Sequence, residues 1–293
     1  MVGKKGDLVK EDCGALGRVR IVLVAPAGPR NVGSVARVMA NFGLSELVLV
    51  SPQCDRLGQE ARTMAVHAQD ILQRATVVES VPDALVGCQR VAATLGREFA
   101  GRVPVEAIAQ VTPWLLAQEP PPPSHTKIQS AILFGREDHG LSNDDLHYAQ
   151  RLVTIPTGAA YVSLNLAQAV GVCAYELLQT AHGPGPRFST APSTNTPTDV
   201  ESVESPPEDA SPAFEQLEGF YGDLETLLLD VGYLYPHTAN KRMKTFRNLL
   251  HRSHPTAREV SMLRGILRQM RWAINNSSPQ GGSTDGPAIA PGE

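Results

Sequence analysis

Polar residues whose types could bind a ligand or move a proton occur in three segments of the sequence. Asn31 and Arg37 lie in PAGPRNVGSVARVMANFG, Glu137 lies in ILFGREDHGLSNDDL, and Ser163 and Asn165 lie in IPTGAAYVSLNLAQAVGVCAYELL. Asn31 and Arg37 start a predicted helix that follows a strand, where α/β proteins place ligand sites. Ser163 and Asn165 open another helix, at the positive end of its dipole, where donors face an anion.

Each of these residues also has a purely structural interpretation. Asn31 is a good N-cap, Arg37 is compatible with a surface charge, and Ser163 is compatible with an N-cap only. Glu137 is equally compatible with a solvated acid in a Gly-rich turn, in which Gly135 and Gly140 would let the backbone approach a ligand closely.

Other catalytic patterns are missing from the sequence. It contains no Ser-His-Asp order, HExxH, P-loop, GxGxxG or paired-carboxylate pattern, and its four cysteines form no CxxC pair. The eight histidines show no metal spacing. A hydrolase or dehydrogenase therefore has no support, and we expect no metal.

The elements that would position these residues alternate along the chain. Strands rich in Val, Ile and Leu are predicted at 18–25, 46–51, 75–79, 90–95, 131–135 and 151–156, and helices at 31–42, 59–73, 104–118 and 163–182. This alternation predicts an α/β fold whose parallel sheet is covered on both faces. The last helix is apolar nearly all round, which predicts burial, and Gly171 within it suggests close helix packing.

Composition divides the chain into five parts. Residues 1–17 are predicted to be a flexible tail without an apolar signal-peptide core, 18–182 the α/β domain, and 275–293 a second tail. Residues 183–213 hold seven prolines and five acids against one basic residue, which predicts a linker. Residues 214–274 are predicted to be a helical domain.

Charge is unevenly distributed over the 293 residues. The net charge is −4, so no overall basic field attracts nucleic acid, yet residues 241–271 carry nine basic side chains and one acidic. That segment is compatible with a solvated helical face or with an RNA- or DNA-binding appendage. The scattered cysteines and the absence of an 18-residue apolar stretch predict a cytoplasmic protein without a membrane span.

Taken together, the three polar segments resemble the SpoU/TrmH branch of the SPOUT methyltransferases. The motifs of that family stand here in order as Asn31-Val-Gly33…Arg37, Phe134-Gly-Arg-Glu137…Gly140-Leu141, and Ile155-Pro156…Ser163-Leu-Asn165. Residues 219–234 and 246–268 resemble the C-terminal helices of the TrmJ group of this family. One departure is Thr157-Gly158-Ala159-Ala160, where many relatives carry Asn-Pro-Glu.

The resemblance implies a mostly parallel α/β sheet with a C-terminal deep trefoil knot (SPOUT), plus a small all-α C-terminal extension. It implies a homodimer with a shared active site, and transfer of a methyl group from S-adenosylmethionine to a ribose 2′-hydroxyl of tRNA. The target would be the pyrimidine that opens the anticodon loop. The implied cofactor-binding residues are Thr94, Leu95, Gly96, Arg97, Phe134, Gly135, Glu137, Gly140, Ile155, Pro156, Ser163 and Leu164.

The resemblance also implies catalytic roles. By analogy Arg37 is a candidate base, but a guanidinium keeps its proton above pH 12, so we favour phosphate binding and alkoxide stabilisation. Asn31 would place the hydroxyl or phosphate, Glu137 would orient Arg37 or the ribose, and Ser163 and Asn165 would line the methyl-transfer pocket. The candidate RNA contacts are Arg30, Lys241, Arg242, Lys244 and Arg247.

Two other functions stay open from the sequence. One is an rRNA 2′-O-methyltransferase, against which the TrmJ-like C-terminal helices argue. The other is a non-catalytic knotted RNA-binding protein, for which we would expect loss of motif residues that this chain retains.

Overall fold

The computed structural model describes residues 14–96, 105–118, 128–158, 160, 162–183, 211–253 and 255–276. Arg97, most of the predicted linker and nearly all of both predicted tails lie outside these ranges. The domain boundaries in those parts therefore stay predictions.

The predicted parallel sheet is confirmed and has seven strands among the described residues. They are β1 (Val19–Val24), β2 (Glu46–Val50), β3 (Thr76–Val78), β4 (Arg90–Leu95), β5 (Val105–Ala107), β6 (Ser130–Phe134) and β7 (Arg151–Thr154). Their order is β3-β2-β1-β6-β4-β7-β5, and every neighbouring pair is parallel. Because β1, β4 and β6 are adjacent, the loops at their carboxyl ends meet at one edge.

Seven helices accompany the sheet in the described part of the first domain. They are α1 (Pro29–Asn41), α2 (Gln59–Ala65), α3 (Gln69–Arg74), α4 (Val81–Leu85), α5 (Ile108–Leu115), α6 (Asn143–Leu146) and α7 (Leu166–His182). A 3₁₀ turn, Leu16–Arg18, precedes β1. The sheet is covered on both faces, because Ile21 and Leu23 pack with α1, α5 and α7 while Val22 packs with α4 and α6.

Four element boundaries differ from the sequence prediction. The helix expected at 59–73 is interrupted where Val66 takes a φ of 53° and ends α2. The helix expected at 104–118 is preceded by the short strand β5. Helices α4 and α6, each under six residues, were not predicted. Helix α1 begins at Pro29 and α7 at Leu166, so Asn31 lies inside a helix and Ser163 lies before one.

Glycine marks two close backbone approaches. A Cβ at Gly33 would lie 2.1 Å from the carbonyl oxygen of Ala61, so α2 crosses directly over α1 there. A Cβ at Gly135 would lie 2.1 Å from Leu141 N, so this glycine lets the loop fold back on its own backbone rather than on a ligand. The expectation that Gly171 is required for close helix packing was wrong, because an added Cβ there would meet only Val38 Cγ1, at 3.8 Å.

Three further helices form the C-terminal extension, α8 (Phe214–Asp230), α9 (Pro236–Ser253) and α10 (Ala257–Asn276). They enclose a small apolar core that includes Phe220, Tyr221, Leu234 and Met243. The extension contacts the first domain where Phe214 N donates to Cys88 O at 2.8 Å. In the part of the chain that the structure describes, no helix is long and apolar enough to cross a membrane.

Candidate active site

A cavity of about 340 Å³ opens at the carboxyl ends of β4, β6 and β7. Its wall contains every predicted cofactor residue that the structure describes except Pro156, namely Thr94, Leu95, Gly96, Phe134, Gly135, Glu137, Gly140, Ile155, Ser163 and Leu164. Arg97, also predicted, lies outside the described residues. The cavity therefore joins the loops that follow three neighbouring strands.

Glu137 anchors the loop after β1 from the edge of this cavity. Its Oε2 accepts a hydrogen bond from Ala27 N at 3.0 Å, and its Oε1 accepts from Gly28 N at 3.0 Å and from Asn31 Nδ2 at 2.8 Å. Burial raises the pKa of the Glu137 carboxyl, but these hydrogen bonds outweigh it, and the pKa is lowered from its ordinary value. Glu137 is therefore an ionised acceptor that fixes the start of α1.

Asn31 connects Glu137 to the third segment. Because an ionised carboxylate only accepts, the Asn31 amide nitrogen must face Glu137, and its Oδ1 is left to accept from Asn165 Nδ2 at 3.0 Å. Asn165 in turn caps α7, with its Oδ1 accepting from Ala167 N at 3.0 Å. Glu137, Asn31 and Asn165 thus form one chain, here called the three-segment network.

The network corrects three expectations. Asn31 is not an N-cap, because Gly28 holds that position, and its side chain is used in the network. Asn165, not Ser163, caps α7, and Ser163 lies exposed in the cavity wall. Glu137 contacts Asn31 and two backbone amides, so its expected role in orienting Arg37 is not seen.

Arg37 is exposed on the solvent-facing side of α1, which agrees with the interpretation of this residue as a surface charge. It follows Asn31 by six positions, which corresponds to about 9 Å along the helix axis. Among the described residues none forms an ion pair with Arg37. Its guanidinium is therefore available to a phosphate that reaches the site from solvent.

The cavity wall holds seven residues besides the cofactor contacts named above. Arg136, Asp138, His139 and Val162 lie in the loops 134–140 and 155–164, which the resemblance implied for cofactor binding. Leu141, Leu166 and Ala169 were missed from the sequence. Asp138 Oδ1 lies 3.1 Å from Arg136 Nε and 2.7 Å from His139 Nδ1, so these three side chains contact one another within their own loop.

The five predicted RNA contacts differ in availability. Arg30, Lys241 and Arg242 are exposed, with Arg242 Nη1 donating to Tyr233 O at 2.7 Å. Lys244 pairs with Asp144 Oδ1 at 2.9 Å. Arg247 makes two hydrogen bonds to Glu218 and stacks on Tyr221 with only 14% of its side chain exposed, so the structure assigns it to packing rather than to RNA.

The described residues contain no group of three or more His, Cys, Asp and Glu side chains that could hold a metal ion.

A parallel α/β sheet with a cavity at its carboxyl edge, joined by three polar segments, is typical of enzymes that bind a small cofactor there. The chain belongs to the SpoU methylase family, since the sequence model described as "SpoU rRNA Methylase family" matches residues 18–175. The model of the "tRNA methyltransferase TrmJ, C-terminal domain" matches residues 215–280. The resemblances of the first domain to this family and of the C-terminal helices to the TrmJ group are therefore both confirmed.

Individual relatives match over most of the chain. The tRNA (cytidine/uridine-2′-O-)-methyltransferase TrmJ of Cronobacter sakazakii is 33% identical over 269 residues, covering 89% of this chain and 98% of the relative. The tRNA (cytidine/uridine/adenosine-2′-O-)-methyltransferase TrmJ of Pseudomonas aeruginosa is 35% identical over 263 residues, covering 87% and 94%.

A solved structure agrees with the fold. The crystal structure of TrmJ from Z. mobilis ZM4 superposes with a TM-score of 0.69 at 30% identity, covering 86% of this chain and 98% of that chain. The predicted fold class, a mostly parallel α/β sheet of the knotted SPOUT type with a small all-α extension, is confirmed.

Proposed function

We propose that this chain is an S-adenosylmethionine-dependent tRNA (cytidine/uridine-2′-O-)-methyltransferase. Relatives with this name match both its domains, and the family's three motifs meet in one hydrogen-bonded network at the cavity. The network is the single observation that carries the proposal, because it brings together residues that are 106 and 134 positions apart in the chain. The finer target, the pyrimidine at position 32, rests on the resemblance.

The cavity fits the cofactor. Its walls are apolar at Leu95, Phe134, Ile155 and Leu164 and polar at Thr94, and its volume of about 340 Å³ is within the range of small-molecule sites. Thr94 Oγ1 donates to Leu133 O at 3.0 Å, which holds the β4 loop against β6. When bound, S-adenosylmethionine supplies an activated methyl group on a positively charged sulfur.

The remaining tasks belong to the residues of this chain. A ribose hydroxyl is a poor nucleophile, so it must be positioned and must lose its proton as the new bond forms. The oxygen–methyl bond forms as the sulfur–methyl bond breaks, S-adenosylhomocysteine leaves, and the hydroxyl proton passes to the adjacent phosphate of the tRNA. Arg37 binds the adjacent phosphate and stabilises the developing alkoxide, since its guanidinium does not act as a base near neutral pH. Asn31 keeps a second Nδ2 proton for the ribose or phosphate after serving Glu137.

Ser163 and Asn165 act on the other side of the site. Asn165 holds Asn31 and caps α7, while Ser163 presents its hydroxyl in the cavity wall. The network positions these side chains before substrate arrives, so less ordering is needed during the reaction.

We also propose that the enzyme is a homodimer. Tyr175 of α7 is 45% exposed and meets Phe42 edge-on at 6.4 Å, beside the half-buried Val172. A partner subunit packed on this face would cover these apolar side chains. Light scattering of the purified protein tests this, and a Tyr175→Glu variant should shift the protein toward monomer.

The proposed tRNA contacts are the exposed Arg30, Lys241 and Arg242, and the proposed location is the cytoplasm, where a tRNA substrate is found. The exposed cations of the extension support a contribution to tRNA binding. Deleting residues 214–293 should weaken tRNA binding and reduce its salt dependence.

The proposed reaction is tested with purified protein, labelled S-adenosylmethionine, unmodified tRNA and rRNA fragments, followed by nucleoside mass spectrometry. We expect 2′-O-methylcytidine and 2′-O-methyluridine from tRNA, with a loss of about 100-fold or more in rate for Arg37→Ala. Product from rRNA alone would establish the rRNA enzyme instead. Absence of product together with absence of cofactor binding by calorimetry would establish the non-catalytic alternative.

A further inference from the structure

Helix α10 presents a face to solvent that the proposed chemistry does not use. Its inner face packs on α8 through Val260, Leu263 and Leu267, and Arg264 pairs with Asp223 at 3.0 Å. A second side of the helix, turned away from α8, carries residues spaced by three and four positions, which places them in one row along the helix. They are Arg258, Ser261, Gly265, Arg268, Trp272 and Asn275.

Trp272 is the unusual member of this row, here called the outer row. Its side chain is 62% exposed, although tryptophan is highly buried on average in folded proteins. The other tryptophan of the chain, Trp114, is 5% exposed and lies between the guanidinium groups of Arg90 and Arg151. An exposed Trp on an ordered helix leaves a large flat apolar surface in water, which favours a binding partner.

The charge of the outer row indicates what kind of partner fits. The row carries Arg258 and Arg268 and no Asp or Glu. Arg268 precedes Trp272 by one helical turn, so the two side chains are neighbours on the surface. A second copy of this chain on the same face would set two arginine-bearing rows against each other, which is unfavourable.

We propose that Trp272 stacks on an unpaired base of the bound tRNA while Arg268 binds a neighbouring phosphate. Aromatic side chains stack on any base, because every base has a π-face, and single-stranded loops present such bases. The guanidinium supplies the charge for the phosphate. This inference rests on the proposed function and deepens it by giving the extension a contact with bases as well as with the backbone.

Full-length protein is titrated with unmodified tRNA, a single-stranded pyrimidine oligoribonucleotide and an RNA duplex. Trp272→Ala should weaken tRNA binding roughly 5- to 100-fold, and Trp272→Phe should weaken it much less. Neither change removes a charge, so the slope of log affinity against log salt should stay the same. Arg268→Ala should reduce that slope by about 0.7 to 0.9. Met262→Ala, on the same helix outside the row and 59% exposed, is the matched control.

Intrinsic fluorescence gives a second readout. The tRNA and the single-stranded oligonucleotide should quench the wild-type emission, the duplex should quench it much less, and Trp272→Phe should abolish the difference. Wild-type affinity of Trp272→Ala in a protein whose parent methylates tRNA would overturn the inference alone. Equal quenching by the duplex, or a change of oligomeric state in Trp272→Ala, would also overturn it. Failure of the parent to bind or methylate tRNA would instead reject the proposed function.

Discussion

In the active site, polar side chains from three distant segments bind one another, whereas in the C-terminal extension three arginines pair with one acidic helix. Helix α8 carries five acidic residues and no Lys or Arg. Three of these acids pair with Arg247, Arg264 and Arg271 of the following helices. The strongly basic segment seen in the sequence is therefore partly neutralised in the fold.

This difference shows that neither the net charge of a sequence segment nor the exposure of a motif residue is enough to predict its role. The net charge of a segment overestimates the number of cations available to RNA, because some of those cations form ion pairs within the fold. Glu137, Asn31 and Asn165 are, in contrast, more constrained than their exposure suggests, because each depends on another member of the three-segment network. Changes in the active site should therefore lower activity, and changes at the paired cations should lower stability.

The largest effect is expected for Gly135→Ala. An added Cβ would lie 2.1 Å from Leu141 N, so the loop that contributes Glu137 must open. We expect calorimetry to show loss of cofactor binding and thermal unfolding to show marked destabilisation. Gly171→Ala is the matched control, because the nearest atom lies at 3.8 Å and alanine favours a helix interior by up to about 1 kcal/mol. Equal behaviour of the two variants would contradict the account of the loop.

A medium effect is expected in the extension, where Arg247→Ala and Lys241→Ala separate packing from RNA binding. Arg247→Ala leaves the half-buried Glu218 without its partner and should destabilise the extension by about 1–3 kcal/mol. Lys241→Ala should leave stability unchanged and reduce the salt slope of tRNA binding by about 0.7 to 0.9. Thermal unfolding and salt-dependent titration make both measurements, and the reverse pattern would place Arg247 at the RNA.

The smallest effect is a pH dependence from Glu137. The folded pKa of this carboxyl is lowered, so its contribution to stability is present above the unfolded pKa of about 4.3 and is lost as pH falls through the folded pKa. Glu137→Gln should flatten this part of the stability profile, measured by chemical unfolding between about pH 3 and 6. A profile that Glu137→Gln leaves unchanged would show that the carboxylate does not hold the loop.

The sequence predicted the sheet from local patterns, because buried parallel strands give continuous runs of Val, Ile and Leu. The residues of the cavity wall, in contrast, were implied by the resemblance of three motifs to the SpoU/TrmH branch. The sequence did not predict which residue caps which helix, since Gly28 and Asn165 take those positions only once α1 and α7 are packed.

The sequence also did not predict which charged side chains pair with one another. Arg247 looks like any other cation of its segment until α8 brings Glu218 and Tyr221 to it. Similarly, Val66 gives no local sign of the positive φ that divides the predicted helix at 59–73, because β-branched residues rarely adopt it.

The three-segment network is tested most directly by a double-mutant cycle on methyl transfer to tRNA. Asn31→Ala and Asn165→Ala, singly and together, are compared under single-turnover conditions with saturating cofactor. Because both residues act through one chain of hydrogen bonds, each change should slow transfer by about 10- to 100-fold, and the double variant should be little slower than the worse single one. Effects that multiply would show that the two residues act independently and would contradict the network.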